Sequence, residues 1–235
     1  MLKPARCLLK SLTFFALFGL AYFLSDQATW GFTVARLKTS QDLGFISAGA
    51  DPHLYLQQKF YLRDQGGQSY VFVSADENYV LKFFKDMPRP WLALASYQKK
   101  KLGKLKRTLN GYQLAFNHLR EDTGLLSLHL SPTASPLLTT LVDRLGIEHA
   151  IDLSSTYFVL QRKAAPLPDF SAATVSQISR LVKKRASAHI ADHDPRLQAN
   201  LGWIDNRPIF IDPGRFVEDG SASPELPPKF LEFLQ

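Results

Sequence analysis

The sequence predicts an α+β protein in two lobes, with an antiparallel sheet and a helix first and a minimal second lobe after a proline break. Three observations predict it. Residues 54–85 hold the β-rich runs "FYLRD", "SYVFVS" and "YVLKFFK", separated by "QGGQ" and "ADEN"; short runs of this kind joined by tight polar turns read as adjacent hairpins. Residues 91–122 contain no proline and are rich in Leu, Ala, Lys and Gln, a helical composition. After Pro166 and Pro168 come "SAATVSQISRLVKKRASAHI" and then "NLGWIDNRPIFID", a helix followed by a second hairpin. Strands gathered first and a helix with a loop later point to segregated layers rather than to βαβ repeats.

The bulk numbers agree with this. The chain has 235 residues, 46% apolar and 21% charged, enough for one good core or two small lobes. Its single cysteine, Cys7, excludes an internal disulfide framework and a multi-cysteine zinc site. The net charge of +7 admits anionic partners without choosing among them. That charge is concentrated. Residues 98–107, "QKKKLGKLKR", carry Lys99, Lys100, Lys101, Lys104, Lys106 and Arg107, and no acid occurs between Asp86 and Glu121. Such a run is either a solvated helix face or a surface for anionic lipid. No aromatic residue alternates with the lysines, so no specific nucleic-acid partner is expected.

The elements follow in order. Lys3, Arg6 and Lys10 precede or open "SLTFFALFGLAYFLS", residues 11–25. A basic stretch leading into an apolar one is a targeting or anchoring pattern. The apolar run is shorter than the ~20 residues of a spanning helix, and "YFLSDQATW" offers a poor cleavage site. The expectation is a retained N-terminal anchor over residues 1–25, touching the membrane through 11–25, with a cleaved signal and a secreted protein as the alternative. Residues 26–50 read as a linker, 51–165 as the first lobe with a basic helical insertion at about 88–107, and 166–235 as the second lobe. Gly103 and Gly111 read as interruptions of the long helix and Gly124 as its stop. "LLSLHLS", "HAIDL" and "TYFVLQRKA" are strand candidates. Ser171 is placed to cap the later helix, and Asp205-Asn206 to turn the last hairpin.

The polar residues then fall in a definite order. Gly66, Gly67, Ser69 and Val71 lie in and after the first hairpin loop. Lys82 sits on a strand among Val80, Leu81, Phe83 and Phe84. Glu121 and Asp122 are the only acids of the long helix. Asp194 and Asn200 occupy "ADHDPRLQANLGW", and Asp212 ends the apolar run of "FIDPG". This order resembles the protein-kinase-like fold over residues of about 60–216, as a divergent, truncated kinase or pseudokinase. In that family a glycine-rich loop covers the nucleotide phosphates, and a strand lysine holds them and pairs with a helix glutamate. A loop aspartate accepts the hydroxyl proton, while an asparagine and a strand-end aspartate hold Mg²⁺.

The resemblance implies ATP and Mg²⁺ as ligands. Gly66, Gly67, Ser69, Val71 and Lys82 would lie at the nucleotide. Lys82, Glu121 and Asp194 would be catalytic, and Asn200 and Asp212 would hold the metal. Asp64 stands in the place of the first glycine, Asp194 and Asn200 are six positions apart instead of five, and Pro213 replaces the aromatic residue of D-F-G. Only 21 residues follow Gly214, too few for the helices with which protein kinases bind peptides. The implied activity is therefore phosphotransfer to a small or membrane-borne acceptor. The alternative is a pseudokinase acting as a binding or scaffold module, at a bacterial membrane or as a secreted effector. "HIADHD", 189–194, is a weaker metal-binding candidate, and a basic membrane-surface adaptor of unrelated α+β fold is a third reading.

Overall fold

The structure, a computed structural model, describes residues 3–37, 43–85, 95–194 and 196–234. Its strands are β1 (Ala48–Gly49), β2 (Lys59–Gln65), β3 (Ser69–Ser74), β4 (Tyr79–Phe84), β5 (Leu125–His129), β6 (Leu138–Val142), β7 (Glu148–Asp152), β8 (Phe158–Arg162), β9 (Ile190–Asp192), β10 (Leu201–Ile204), β11 (Arg207–Phe210) and β12 (Phe216–Glu218). Its helices are α1 (Lys3–Ala28), α2 (His53–Leu56), α3 (Ala95–Thr123), α4 (Ala172–Ser187) and α5 (Pro228–Phe233). The architecture is the expected α+β one. Eight strands form one sheet in the order β1-β5-β8-β4-β3-β2-β6-β7. Every pair in it is antiparallel except β2 with β6.

Alternation along β4 assigns the two faces of this sheet, because successive side chains on a strand point to opposite sides. Leu81 and Phe83 enter a core with Phe60, Tyr70, Phe72, Phe158 and Leu160. Phe32 and Leu37 are buried in the same core. The stretch 26–50, expected as a linker, supplies Phe32 and Leu37 to this core, and β1 within it extends the sheet. Lys82 and Phe84 lie on the other face, where Leu128 and Val159 meet Leu105, Leu109, Tyr112 and Leu119 of α3. The same core continues through Ile178 and Val182 of α4 to Phe210, Phe216 and Phe230. Each such side chain, fully withdrawn from water, contributes about 1.5–3 kcal/mol. The second lobe is thus packed on α3 as well as joined to the sheet.

Two glycines predicted to interrupt the long helix lie within it. Helix α3 runs through Gly103 and Gly111, and its one non-helical residue is Leu119, at φ −135°. Residues 95–107 are the first turns of α3, so this part of the basic segment is helical and continuous with the rest of the helix. Residues 88–94 of that segment lie outside the described residues. Gly124, at φ +64°, follows the last helical residue as expected; this left-handed conformation carries no steric cost for glycine. Ser171 caps α4, its Oγ accepting from the Thr174 N–H at 3.3 Å. Asp205 (φ +50°) and Asn206 (φ +60°) turn the β10–β11 hairpin, the paired left-handed geometry of a tight two-residue loop.

Candidate functional site

Lys82 lies on the middle strand of the first lobe, opposite Val71 of β3, and is almost fully buried. Its Nζ donates to the Ile211 carbonyl and stands 3.4 Å from the Tyr112 hydroxyl. The Tyr112 hydroxyl in turn donates to Asp212 Oδ1 at 2.9 Å. Three segments far apart in sequence are so joined in one polar chain, buried at Lys82 and Tyr112 and exposed at Asp212: strand β4, helix α3 and the end of β11. Burial lowers the Lys82 pKa, and the carboxylates of Asp212 and Asp64 oppose that shift. Burial pushes the Tyr112 phenol well above its ordinary value, with the Asp212 charge and hydrogen bond acting in the same direction. The phenol therefore stays protonated and acts as a donor toward Asp212.

The close approach of α3 to the loop after β11 is set by glycine. A Cβ on Gly111 would lie 2.5 Å from the Pro213 carbonyl oxygen and 3.0 Å from Gly214 C. One on Gly214 would meet Thr108 Cγ2 at 3.0 Å. Without side chains at these positions, Asp212-Pro213-Gly214 lies directly on the helix one residue before Tyr112.

Hairpin β10–β11 brings Asn200 and Asp212 to the same end. Leu201 pairs with Phe210, and the Ile211 N–H donates to the Asn200 carbonyl at 2.8 Å. Strand β12 then returns beside β9, with Phe216 opposite Asp192, which draws the aspartate loop to the same place. The Asn200 side chain is buried, and its Nδ2 makes no hydrogen bond of good geometry among the described residues. Asp212 and Asn200 offer a carboxylate and an amide oxygen, a donor set that fits Mg²⁺ when water and phosphate complete the shell. Among the described residues no three His, Cys, Asp or Glu side chains gather closely enough to hold a metal by themselves, so "HIADHD" forms no such centre.

Asp194 is placed in this loop but is already engaged. Arg196 Nε and Nη2 reach its two carboxylate oxygens at 3.2 and 3.1 Å, and the Arg196 N–H donates to Oδ1 at 3.0 Å. This clamp holds the Asp194 carboxyl down to about 2 against the opposing effect of burial. Asp192, two residues earlier, is different. Burial pushes its carboxyl up, against the pull of the Asp194 N–H and Arg185, whose Nη1 lies 3.8 Å away.

Glu121 is not brought to Lys82. It is exposed near the end of α3, where its carbonyl accepts from Arg207 Nη2 at 2.9 Å. Asp122 beside it is buried and pairs with Lys184 at 2.6 Å and Arg207 at 3.3 Å. The physical reason is the length of the helix. The residue of α3 that faces Lys82 is Tyr112, more than two turns earlier than Glu121. The glycine loop is a tight hairpin turn closed by the Gly66 N–H on the Ser69 carbonyl at 2.9 Å, and Lys85 Nζ donates to the Gly66 carbonyl at 2.8 Å. Gly67 is at its tip, Ser69 opens β3, and Val71 shares the face of Lys82.

Sequence reasoning missed Tyr112, Arg196 and the Arg185–Asp192 pair. Tyr112 continues the apolar spacing of Leu105 and Leu109 and reads as core; only the acid sought at that position drew attention elsewhere. Arg196 had a local signal, since Asp-x-Arg in a loop can close on itself.

No family model matches the chain, and no curated protein matches it. Solved structures similar to it include WbdD crystallised with the kinase inhibitor LY294002, at 13% identity and TM-score 0.40 over 68% of this chain and 34% of that one. They also include the Legionella pneumophila Lpg2603 kinase bound to IP6, at 16% identity and TM-score 0.35 over 69% of this chain and 51% of that one. The chain thus spans about a third and about half the length of these two proteins.

Proposed function

We propose that this is a kinase-like protein that binds Mg-ATP between β3–β4 and the β10–β11 hairpin. The observation that carries the reading is the polar chain Lys82–Tyr112–Asp212, which runs from a buried lysine out to an exposed carboxylate. A lysine at this depth is costly unless its charge has a use, and a phosphate is a partner that would satisfy it. Lys82 would hold the nucleotide phosphates under the Gly66–Val71 hairpin. Asp212 and Asn200 would hold Mg²⁺, which would supply charge neutralisation at those phosphates. Tyr112 stands where the helix glutamate was expected and would orient Lys82 and Asp212 together. Helix α1 would hold the protein at a membrane. Among the described residues no helix is long and apolar enough to cross one, yet α1 exposes Leu12, Phe14, Phe15, Leu17, Phe18 and Phe23.

Phosphotransfer to a small or membrane-borne acceptor would use Asp194 as the base, and Arg196 would have to release it first. A carboxylate with a pKa of about 2 is a weak proton acceptor. That clamp favours, as a second reading, a pseudokinase that binds nucleotide as a scaffold without turnover.

The test is the melting temperature of the full chain with and without Mg-ATP, beside Asp212→Asn. Ligand at about 100 times its dissociation constant should stabilise the wild type by about 2.7 kcal/mol, and Asp212→Asn should abolish the gain. No shift at millimolar nucleotide would overturn the reading. Phosphate transfer lost in Asp194→Ala would decide for the enzyme, and binding without transfer for the scaffold.

A further inference from the structure

The lysine run 98–107 is divided by the fold. Lys100, Lys101 and Lys104 line a cleft of about 680 Å³ together with Arg36, Lys85 and one acid, Asp26. Lys106 is not among its walls, and Arg107 faces a different groove, beside Phe216 and Glu218. Lys82, Asn200 and Asp212 are not among its walls, but Gly67 and Gln68 are, so the cleft borders the proposed nucleotide site on the outer side of the glycine hairpin. Lys85 lies over the ring of Tyr70 at 4.4 Å, and Tyr70 belongs to the core on the sheet face opposite Lys82. Arg36 is committed to the Gly31 carbonyl and stands 3.7 Å from Asp26. Lys100 and Lys104 are exposed, and their ammonium groups make no hydrogen bond or ion pair with any described residue. Lys100 and Lys104 therefore bring two exposed positive charges to a wall that holds five cations and one acid. A concave wall focuses such a field on whatever enters.

The position of the cleft indicates where its ligand comes from. Asp26 and Gln27 of its wall belong to α1. They come two and three residues after Leu24, the last of the exposed apolar side chains of that helix, or about 3–5 Å along its axis. An α1 whose apolar length is immersed in a bilayer puts the cleft at the level of the lipid headgroups.

We propose that this cleft is a binding site for the phosphate-bearing headgroup of an anionic lipid, taken up where α1 leaves the bilayer. The proposal rests on the reading that α1 lies in a membrane. It assigns Lys100 and Lys104 to the phosphate and leaves Lys106 and Arg107 outside the site.

The experiment is flotation of the full chain with phosphatidylcholine vesicles, with and without phosphatidylglycerol, at low and high salt. The wild type floats with both kinds and prefers the anionic one, and salt weakens the preference. At about 1 kcal/mol for each lysine near the surface, Lys100→Gln with Lys104→Gln lowers the anionic preference by about tenfold or more. Lys106→Gln with Arg107→Gln, of equal charge loss, retains most of it. Equal losses in the two double variants would overturn the cleft and leave only diffuse charge attraction. So would displacement of the preference by soluble glycerol phosphate at constant ionic strength, which would make the source a free phosphate. Flotation with neutral vesicles and no anionic gain would overturn the cleft while leaving the membrane reading of α1 standing. No flotation with either would overturn both.

Discussion

The Tyr112 hydroxyl donates to Asp212 Oδ1 at 2.9 Å across 100 residues of sequence, and the Lys82 ammonium lies 3.4 Å from the same hydroxyl. One phenol thereby ties the central strand lysine to the strand-end aspartate. The helix carboxylate expected beside Lys82 is absent from its neighbourhood; the helix side chain that meets it is a neutral phenol, and the negative charge acting on Lys82 comes from Asp212 and Asp64.

Tyr112→Phe keeps the ring in the core and removes only the hydroxyl. Loss of the hydrogen bond to a charged acceptor, with the longer contact to Lys82, should lower stability by about 1.5–3 kcal/mol. If the tyrosine orients Asp212, Mg-ATP affinity should fall by about tenfold as well. Urea unfolding and nucleotide titration of the variant measure both. Unchanged affinity beside reduced stability would limit Tyr112 to a structural role.

Gly103 and Gly111 occupy the same helix and should respond oppositely to alanine. At Gly103 an added Cβ meets nothing within 4 Å, so the better helix former should stabilise the protein by up to about 1 kcal/mol. At Gly111 the Cβ would lie 2.5 Å from the Pro213 carbonyl oxygen. Gly111→Ala should therefore destabilise by about 1–3 kcal/mol as the loop carrying Asp212 is pushed away. Thermal melts of the two single variants test the contrast.

Asp194 has a carboxyl held near 2 by Arg196. Its native pKa lies below the usual carboxylate value, so the native state binds this proton less readily than the unfolded one. The stabilising contribution is complete above about pH 4 and is lost as pH falls toward 2. Arg196→Gln should let the carboxyl rise and move the acid-unfolding midpoint to higher pH. Acid titrations followed by circular dichroism, on wild type and variant, measure the displacement.

Lys82 gives a pH dependence of the same sign at the alkaline end. Burial lowers its pKa, so on the alkaline side the unfolded chain holds more protons than the native one. Stability attributable to Lys82 therefore rises with pH up to the usual lysine value of about 10.4. Lys82→Met should flatten that rise and abolish any stabilisation by Mg-ATP. Urea midpoints measured from neutral to moderately alkaline pH, with and without nucleotide, check both effects.

What was legible in the sequence was local. Strands β2–β4 announced themselves by apolar runs between short polar turns, α4 by its Ser171 cap, and the last hairpin by Asp205-Asn206. The antiparallel first lobe followed from those. The parallel pairing of β2 with β6 was not legible, because "LTTLV" gains its partner from a segment more than 70 residues away. Strands β9 and β12, three residues each, exist only by pairing with one another. Gly111 was misread for a related reason: its sequence context shows a helix-weakening residue, while its use is a close approach by Pro213. Lys82, Asn200 and Asp212 were singled out from the sequence, and the fold joins Lys82 to Asp212 through Tyr112 and brings Asn200 to the same end of the hairpin. Glu121 was preferred to Asp122 for reach, and an electrostatic partner sought by charge could not point to a phenol.

The single core running from the sheet through α3 into the second lobe has a thermodynamic consequence. Two lobes joined by a bare hinge can melt one after the other. Here Leu109, Tyr112 and Leu119 share one interior with Val159 on one side and with Val182, Phe210 and Phe216 on the other. Swinging the second lobe outward would strip apolar surface from the helix that also roofs the sheet, so partial opening and partial melting expose the same groups. The chain is built to unfold as one cooperative unit, giving a single heat-absorption peak whose calorimetric and van't Hoff enthalpies agree.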